Sequence, residues 1–267
     1  QQKHDYNQTA KGRPLKIGND HAFAAYIEHK IIVDRYSPAA ALAAARMYPF
    51  ATRICVSTLY SYIDKQVFYQ LGNRHLWEKR KKKPKKDKEQ RRVVHGKLPS
   101  IEIRPESITR REEYGHWEMD LVVSARGGRS VLLTLTERMS RQEIIIKLPD
   151  RKAETVRRAI DRLERKTPGF RQKFRSITTD NGSEFMEYDK LVKSCRRKGA
   201  RFAIYYCHSY SAWEKGSVEN HNRMIRRFFP KGTNFDEVTS ADVRRVQDWM
   251  NSYPRRVLDW KSPDQAA

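Results

Sequence analysis

The sequence predicts an α/β fold, in which a mixed sheet of five strands is flanked by helices and preceded by a separate all-α unit. Three β-rich runs between residues 117 and 148 are separated by turn residues, which is typical of an antiparallel meander. Two further strand patterns, at 174–179 and 202–206, alternate with helical patterns, as in a sheet that carries helices on its faces. Between residues 19 and 65, in contrast, apolar residues recur at helical spacing.

Three short helices are predicted in the first 70 residues. Asn19 or Asp20 is expected to cap the first helix, and Ser37 followed by Pro38 opens the second. Ser57 is the expected N-cap of the third helix. Three helices of this length, the last two joined by a tight connection, are typical of a helix-turn-helix domain, which we assign to residues 1–70.

The third predicted helix has one apolar and one polar face. Leu59, Tyr62 and Ile63 form the apolar stripe and are expected to be buried. The outward side chains are expected to contact DNA in a major groove, and they are Thr58, Tyr60, Ser61 and Lys65. A three-helix bundle that binds no nucleic acid is the alternative.

A strongly basic run follows these helices. Residues 79–92, KRKKKPKKDKEQRR, contain ten basic and two acidic residues without apolar periodicity, so they cannot build a core. We predict an exposed linker over residues 71–114, whose cations either stay solvated or follow DNA phosphates. The cations expected to contact phosphates are Lys81, Lys82, Lys83, Lys85, Lys86, Arg91 and Arg92.

The remaining chain, residues 115–267, is predicted to form the α/β domain. A helix that ends near residues 167–169 follows the first three strands, and a second is expected around 188–197. A long helix over residues 217–229 completes the unit.

The net charge restricts the class of partner. The 267 residues include 55 Lys plus Arg against 32 Asp plus Glu, which gives a net charge of +23 and a pI of 10.0. A polyanion is the expected partner, either nucleic acid or an anionic membrane surface. Because no run approaches the roughly 18 apolar residues of a spanning helix, and no leader is evident, we expect a cytoplasmic, nucleoid-associated protein without a membrane partner.

Cysteine usage favours reduced thiols. Cys55, Cys195 and Cys207 are odd in number and widely spaced, which argues against a disulfide framework or a zinc site and favours buried thiols. The chain begins at Gln1 without an initiating Met, as a piece of a longer chain would. Whether a further domain precedes it stays open.

Three acidic residues stand where catalytic carboxylates are expected. Asp120 lies in the first strand, Asp180 ends a later strand before a glycine turn, and Glu219 lies near the start of the long helix. Carboxylates gathered in this way repel one another unless they hold hard divalent cations. Two Mg²⁺ ions in such a site support in-line phosphoryl transfer, which agrees with a polyanionic partner.

Local sequence does not by itself select these three residues. Glu118, Glu184 and Glu214 are also acidic and lie nearby, and an average carboxylate is simply solvated. Alternation along the first strand places Glu118 and Asp120 on one face of the sheet.

Five motifs, in order, resemble the signatures of the thirty-type transposases of bacterial insertion sequences. They are GHWEMD (115–120), TTDNGSEF (178–185), HSYSAWEKGSVEN (208–220), FFPKGTNF (228–235) and NSYPRRVLDWKSP (251–263). The resemblance implies a ribonuclease-H-like core of the retroviral-integrase type. It also implies that Asp120, Asp180 and Glu219 are the catalytic triad and coordinate two Mg²⁺ or Mn²⁺ ions.

Basic residues near the third acid are expected to hold DNA. Lys215 precedes the long helix, and Arg223 and Arg226 follow Glu219 at helical spacing, with Arg227 extending the basic surface. Guanidinium groups suit the phosphates that flank a scissile bond. An exposed, solvated helix face is the alternative interpretation.

Together these observations predict a DNA transposase. It would bind the terminal inverted repeats of an insertion sequence, cut the strand and join it to target DNA, acting as a homodimer or larger synaptic assembly. Two other hypotheses stay open at this point. One is a catalytically idle, sequence-specific DNA-binding repressor, and the other is an RNA-cleaving enzyme of the ribonuclease-H-like class.

Overall fold

The computed structural model describes residues 14–77, 98–208 and 211–267, and the chain divides into two compact units at residue 84. In the described part of the first unit, helix α1 spans His21–Ile32, α2 spans Pro38–Ala45 and α3 spans Val56–Asp64. A 3₁₀ turn at Asn73–His75 follows. None of the described helices is long and apolar enough to cross a bilayer.

Side-chain caps define where the first two helices begin. Asp20 Oδ1 accepts the amide of Phe23 at 2.9 Å, and Ser37 Oγ accepts the amide of Ala40 at 3.2 Å, so both predicted caps are confirmed. The predicted Ser57 cap is wrong. Helix α3 begins at Val56, and Cys55 holds the extended N-cap position, which places Ser57 inside the first turn.

The core of the first unit consists of the apolar stripes of its helices. Phe23, Ile27 and Ile31 of α1 pack with Leu59 and Ile63 of α3, and all five are at least 98% buried. The residues expected to face outward on α3 and at its end are exposed or half-buried.

In the second unit, the five strands of the described residues form one mixed sheet in the order β3-β2-β1-β4-β5. They are β1 His116–Val123, β2 Val131–Glu137, β3 Glu143–Leu148, β4 Ser176–Thr179 and β5 Ala203–Tyr206. Strands β1, β2 and β3 pair antiparallel, whereas β1, β4 and β5 pair in parallel. This arrangement confirms the predicted fold class.

Helices cover both faces of this sheet. The described helices of the second unit are α4 Glu106–Arg110, α5 Ala153–Lys166, α6 Phe170–Lys173, α7 Tyr188–Val192, α8 Gly216–Ile225, α9 Ser240–Ser252 and α10 Pro263–Ala266. Val156 and Ile160 of α5 pack with Trp117 and Met119 in the main core. Helix α8 packs on the other face over β1 and β2, and α9 packs on β3.

Three helix predictions need correction. Helix α7 ends at Val192 instead of Arg197, because Lys193 pairs with Ala200 across a turn in which Gly199 has a φ of +97°. Helix α8 ends at Ile225, four residues before the predicted end. The prediction missed α9, although Thr239 and Asp242 form a capping box at its start.

The described residues at both ends of the predicted linker, residues 71–114, contact the cores of the two units. Leu71 and Leu76 are buried in the helical core of the first unit. Leu98 and Tyr114 pack against the core of the second unit, and Ser100 forms a parallel bridge with Tyr206. The basic run at 79–92 lies outside the described residues.

Candidate active site

Asp120 lies in β1 on the sheet face that α8 covers. Its neighbour Met119 points to the opposite face, where it is fully buried in the core. The Oδ2 atom of Asp120 accepts a hydrogen bond from Asn222 Nδ2 of α8 at 2.6 Å. The carboxylate is thus held in a partly buried position between strand and helix, with 20% of its side chain exposed.

Asp180 follows the last residue of β4, the parallel neighbour of β1. Its Oδ1 accepts the amide of Gly182 at 3.1 Å, and a Cβ at Gly182 would stand 3.1 Å from the same oxygen. Asn181 Nδ2 donates to the carbonyl of Cys207 at 2.9 Å and so anchors the turn to the end of β5. With 47% of its side chain exposed, Asp180 faces an open side of the site.

Lys215 joins the two aspartates. Its Nζ lies 2.9 Å from Asp120 Oδ1 and 2.9 Å from Asp180 Oδ2. Burial disfavours the ammonium charge, but the two carboxylates outweigh it and raise the pKa of Lys215 above its ordinary value. Lys215, which the sequence predicts to contact DNA, is thus buried and bridges the two aspartates.

Glu219 lies in the first turn of α8 and is exposed. Asn222, which contacts Asp120, follows it by three residues and so lies on nearly the same face of the helix. The three predicted catalytic carboxylates are not drawn into one compact cluster. Among the described residues, one group of at least three Asp, Glu, His or Cys side chains has ligand atoms within 4.8 Å of one another. This group consists of Asp161, Glu164 and Cys195.

The Asp161 and Glu164 group is already balanced by an internal cation. Arg201 Nη1 lies 2.7 Å from Asp161 Oδ1 and 3.3 Å from Glu164 Oε2, and the Arg201 side chain is fully buried. Cys195 donates its amide to Glu164 at 3.0 Å. These contacts describe a buried ion pair that fastens α5 to the turn after α7.

The donor set of the aspartate site fits a hard divalent cation. Asp120 and Asp180 offer carboxylate oxygens from adjacent parallel strands, and these oxygens already converge on one positive charge, the ammonium of Lys215. Oxygen ligands of this kind are those that Mg²⁺ and Mn²⁺ prefer.

A buried pair of side chains fixes α8 to the far strand of the sheet. His221 Nδ1 lies 2.6 Å from Glu143 Oε2, which also accepts a hydrogen bond from Thr136 Oγ1 at 2.7 Å. Burial raises the pKa of the Glu143 carboxyl well above its ordinary value and lowers that of the His221 imidazole well below it. The sequence reasoning missed this pair and also Asn222, because only the fold brings these residues together.

The predicted DNA-contacting arginines at the end of α8 and just after it differ in their surroundings. Arg223 is exposed. Arg226 Nη2 donates to the carbonyl of Val123 at 2.9 Å, and the guanidinium of Arg227 stacks 5.9 Å from the centre of the Trp249 ring. Arg226 and Arg227 therefore help to hold α8 and the segment after it in place. The predicted phosphate contacts in the basic run lie outside the described residues.

The expectation of buried thiols holds for one of the three cysteines. Cys207 is buried, whereas Cys195 is half-buried and Cys55 is exposed at the N-cap of α3. Hydrogen bonds from Ser57 and Thr58 lower the pKa of the Cys55 thiol to about 6, and burial raises that of Cys207 to about 12.

Comparison with known proteins shows which family and which relatives this chain is similar to. Residues 110–211, which contain Asp120 and Asp180, match the family described as integrase core domain. The chain is 33% identical over 174 residues to the transposase for insertion sequence element IS1086 of Cupriavidus metallidurans, an alignment that covers 64% of this chain and 49% of the relative. It is 32% identical over 173 residues to transposase InsI for IS30A of Escherichia coli, covering 65% and 42%.

The resemblance to the thirty-type transposases is confirmed. The chain also superposes on the catalytic core domain of BIV integrase with a TM-score of 0.42 and 17% identity, covering 57% of this chain and 91% of that core. The alignments span about half the length of the transposases, or somewhat less.

Proposed function

We propose that this chain is the DNA-binding and strand-cutting part of an insertion-sequence transposase. The observation that carries the proposal is the convergence of Asp120 and Asp180 on one cation position within the stretch that matches an integrase core. Glu219, on the helix that contacts Asp120, supplies the third acid of the family motif. The terminal inverted repeats and the target DNA are the proposed substrates.

Asp120, Asp180 and Glu219 would hold two Mg²⁺ or Mn²⁺ ions. When bound, the ions supply activation of the attacking oxygen and charge stabilisation of the leaving oxygen. Asn222 keeps the Asp120 carboxylate oriented through its 2.6 Å hydrogen bond. Lys215 holds the two aspartate side chains close together in the cation-free protein. Its ammonium would have to break its contact with at least one of these carboxylates for a cation to bind there.

Two steps of the same chemical type follow from this site. Water attacks a phosphodiester at the element end and leaves a 3′-hydroxyl, and that hydroxyl then attacks a phosphodiester of the target. The second step exchanges one phosphodiester for another, so it needs no external energy source. Because two element ends must be joined, we propose that a homodimer or larger assembly acts on the DNA.

The first unit and the basic run are proposed to bind the element ends. The polar face of α3, with Tyr60 39% exposed and Lys65 exposed, would enter a major groove. The ten cations of residues 79–92 would follow the phosphates and so provide affinity without sequence preference.

A metal titration of DNA cleavage tests this proposal. The substrate is a duplex with the nucleotide sequence that flanks the reading frame, compared with an RNA–DNA hybrid of the same sequence. We expect cleavage of the duplex in Mg²⁺ or Mn²⁺, none in EDTA, and products that end in a 3′-hydroxyl. Binding without cleavage in either metal would favour the repressor hypothesis, and preferential cleavage of the hybrid would favour a ribonuclease.

A further inference from the structure

Glu118 connects the strand that carries Asp120 with the helix that carries Glu219. The side chain is fully buried in β1, two residues before Asp120 and on the same sheet face. Its Oε2 accepts the backbone amides of Ser217 and Val218 in the first turn of α8, each at 3.0 Å. The residue two positions before Asp120 therefore accepts the two backbone amides that directly precede Glu219.

Helix α8 needs a cap from another element. Its N-cap residue is Lys215, which forms no side-chain cap and is committed to the two aspartates. An ammonium group cannot accept hydrogen bonds, so the first amides of α8 require an acceptor from elsewhere. The Glu118 carboxylate supplies it, and its negative charge is favoured at the positive end of the helix.

The Glu118 carboxylate is itself held firmly. Arg138 Nη1 donates to Glu118 Oε1, and Arg138 Nε donates to the carbonyl of Ile108 at 3.2 Å. Arg141 Nη1 donates to the hydroxyl of Ser217, the same residue whose amide Glu118 accepts. The backbone of Arg141 has a φ of +63°, an unusual conformation for an arginine.

These contacts lead to one inference, which rests on the proposed function. We propose that Glu118 is a positioning residue: it fixes the start of α8 against β1 and thereby sets the place of Glu219 relative to Asp120. Glu118 does not hold a cation or touch the DNA in this role. A shift of about 1 Å at a reacting group can cost about 100-fold in rate, so the role is open to measurement.

Two variants separate the length of the Glu118 side chain from its negative charge. Glu118→Gln keeps the size and removes the charge, whereas Glu118→Asp keeps the charge but is too short to contact both Arg138 and the α8 amides. We expect either variant to lower kcat for cleavage of the element end by about 10–100-fold and to leave the Kd for DNA within about twofold. If Glu118 only balanced the charge of Arg138, Glu118→Asp would have wild-type kcat.

Glu164→Gln is the matched control. Glu164 is also a buried glutamate that pairs with a buried arginine and accepts a backbone amide, that of Cys195, but it lies on α5. Both Gln variants should lower the thermal midpoint. Only Glu118→Gln should lower kcat, and only it should accelerate hydrogen exchange in residues 215–225, while Glu164→Gln accelerates exchange in residues 194–201.

The outcomes distinguish this inference from the proposed function. Wild-type protein that cuts no DNA would contradict the proposed function itself. Active wild-type protein together with unchanged kcat and α8 exchange in both Glu118 variants would overturn the positioning role alone. Should Glu118→Gln fail to fold, the comparison of Glu118→Asp with Glu164→Gln gives the same decision.

Discussion

Replacing Lys215 with methionine should tighten the binding of a divalent cation and destabilise the cation-free protein. The ammonium of Lys215 lies 2.9 Å from both Asp120 Oδ1 and Asp180 Oδ2, where it competes with a cation for the same oxygens. Methionine is similar in length and cannot compete. It also leaves the two carboxylates without their internal positive charge.

The expected size follows from these contacts. A hydrogen bond to a charged group contributes about 1.5–3 kcal/mol, and Lys215 makes two of them. Because the Asp180 side chain is 47% exposed, solvent screens the hydrogen bond between Lys215 and Asp180. We therefore expect the two hydrogen bonds of Lys215 together to contribute about 1.5–3 kcal/mol. Since 1.4 kcal/mol is tenfold in affinity, Lys215→Met should bind Mn²⁺ about 10–100-fold more tightly.

Isothermal titration of the DNA-free chain with Mn²⁺ measures the affinity, and urea denaturation in EDTA measures the loss of stability. Lys231→Met is the control, because it removes the same charge from an exposed site after α8. Its Mn²⁺ affinity should stay close to that of the wild type. Wild-type or weaker Mn²⁺ affinity in Lys215→Met would refute the idea that Lys215 occupies the cation position.

Three further predictions concern the thiols, the contact of Arg227 with Trp249 and the response to salt. Iodoacetamide should label Cys55 at half its maximal rate near pH 6, because the thiolate forms above its pKa of about 6, whereas Cys207 stays unmodified in the folded chain. Mass spectrometry across pH 5–8 measures the labelling of both thiols, and faster labelling of Cys207 than of Cys55 would contradict this prediction. Arg227→Ala should lower the free energy of unfolding by about 1 kcal/mol through loss of its stacking on Trp249, and an unchanged urea midpoint would contradict it. The logarithm of DNA affinity should fall steeply with the logarithm of salt concentration, by about 0.9 per phosphate neutralised, and salt-independent binding in a filter assay would contradict the electrostatic account.

The strands and the caps of the first two helices were predictable because their signals are local. The β1 to β3 runs alternate or carry β-branched residues between turns, and Asp20 and Ser37 are followed at once by helical spacing, so neighbouring residues decide the structure. The position of Asp180 beside Asp120 was expected only from the resemblance to the thirty-type transposases, and in the structure the parallel register of β1 and β4 produces it.

The contacts around these aspartates could not be obtained in the same way. Lys215 is 95 residues from Asp120 in sequence, and Glu118 is 99 from Ser217, so only packing of α8 on the sheet brings them together. Nothing in the local pattern distinguishes a lysine that contacts DNA from one that bridges carboxylates. Burial decides between them, and burial is a property of the fold.

The proposed catalytic triad depends most directly on Glu219. Cleavage of an element-end duplex in Mn²⁺ should be measured for the wild type and for Glu219→Gln, alongside the Kd of each for the same DNA. We expect cleavage by Glu219→Gln to fall below detection while its Kd stays within about twofold of the wild type, since the side chain is exposed and its loss leaves the fold intact. Full cleavage by Glu219→Gln would contradict the account.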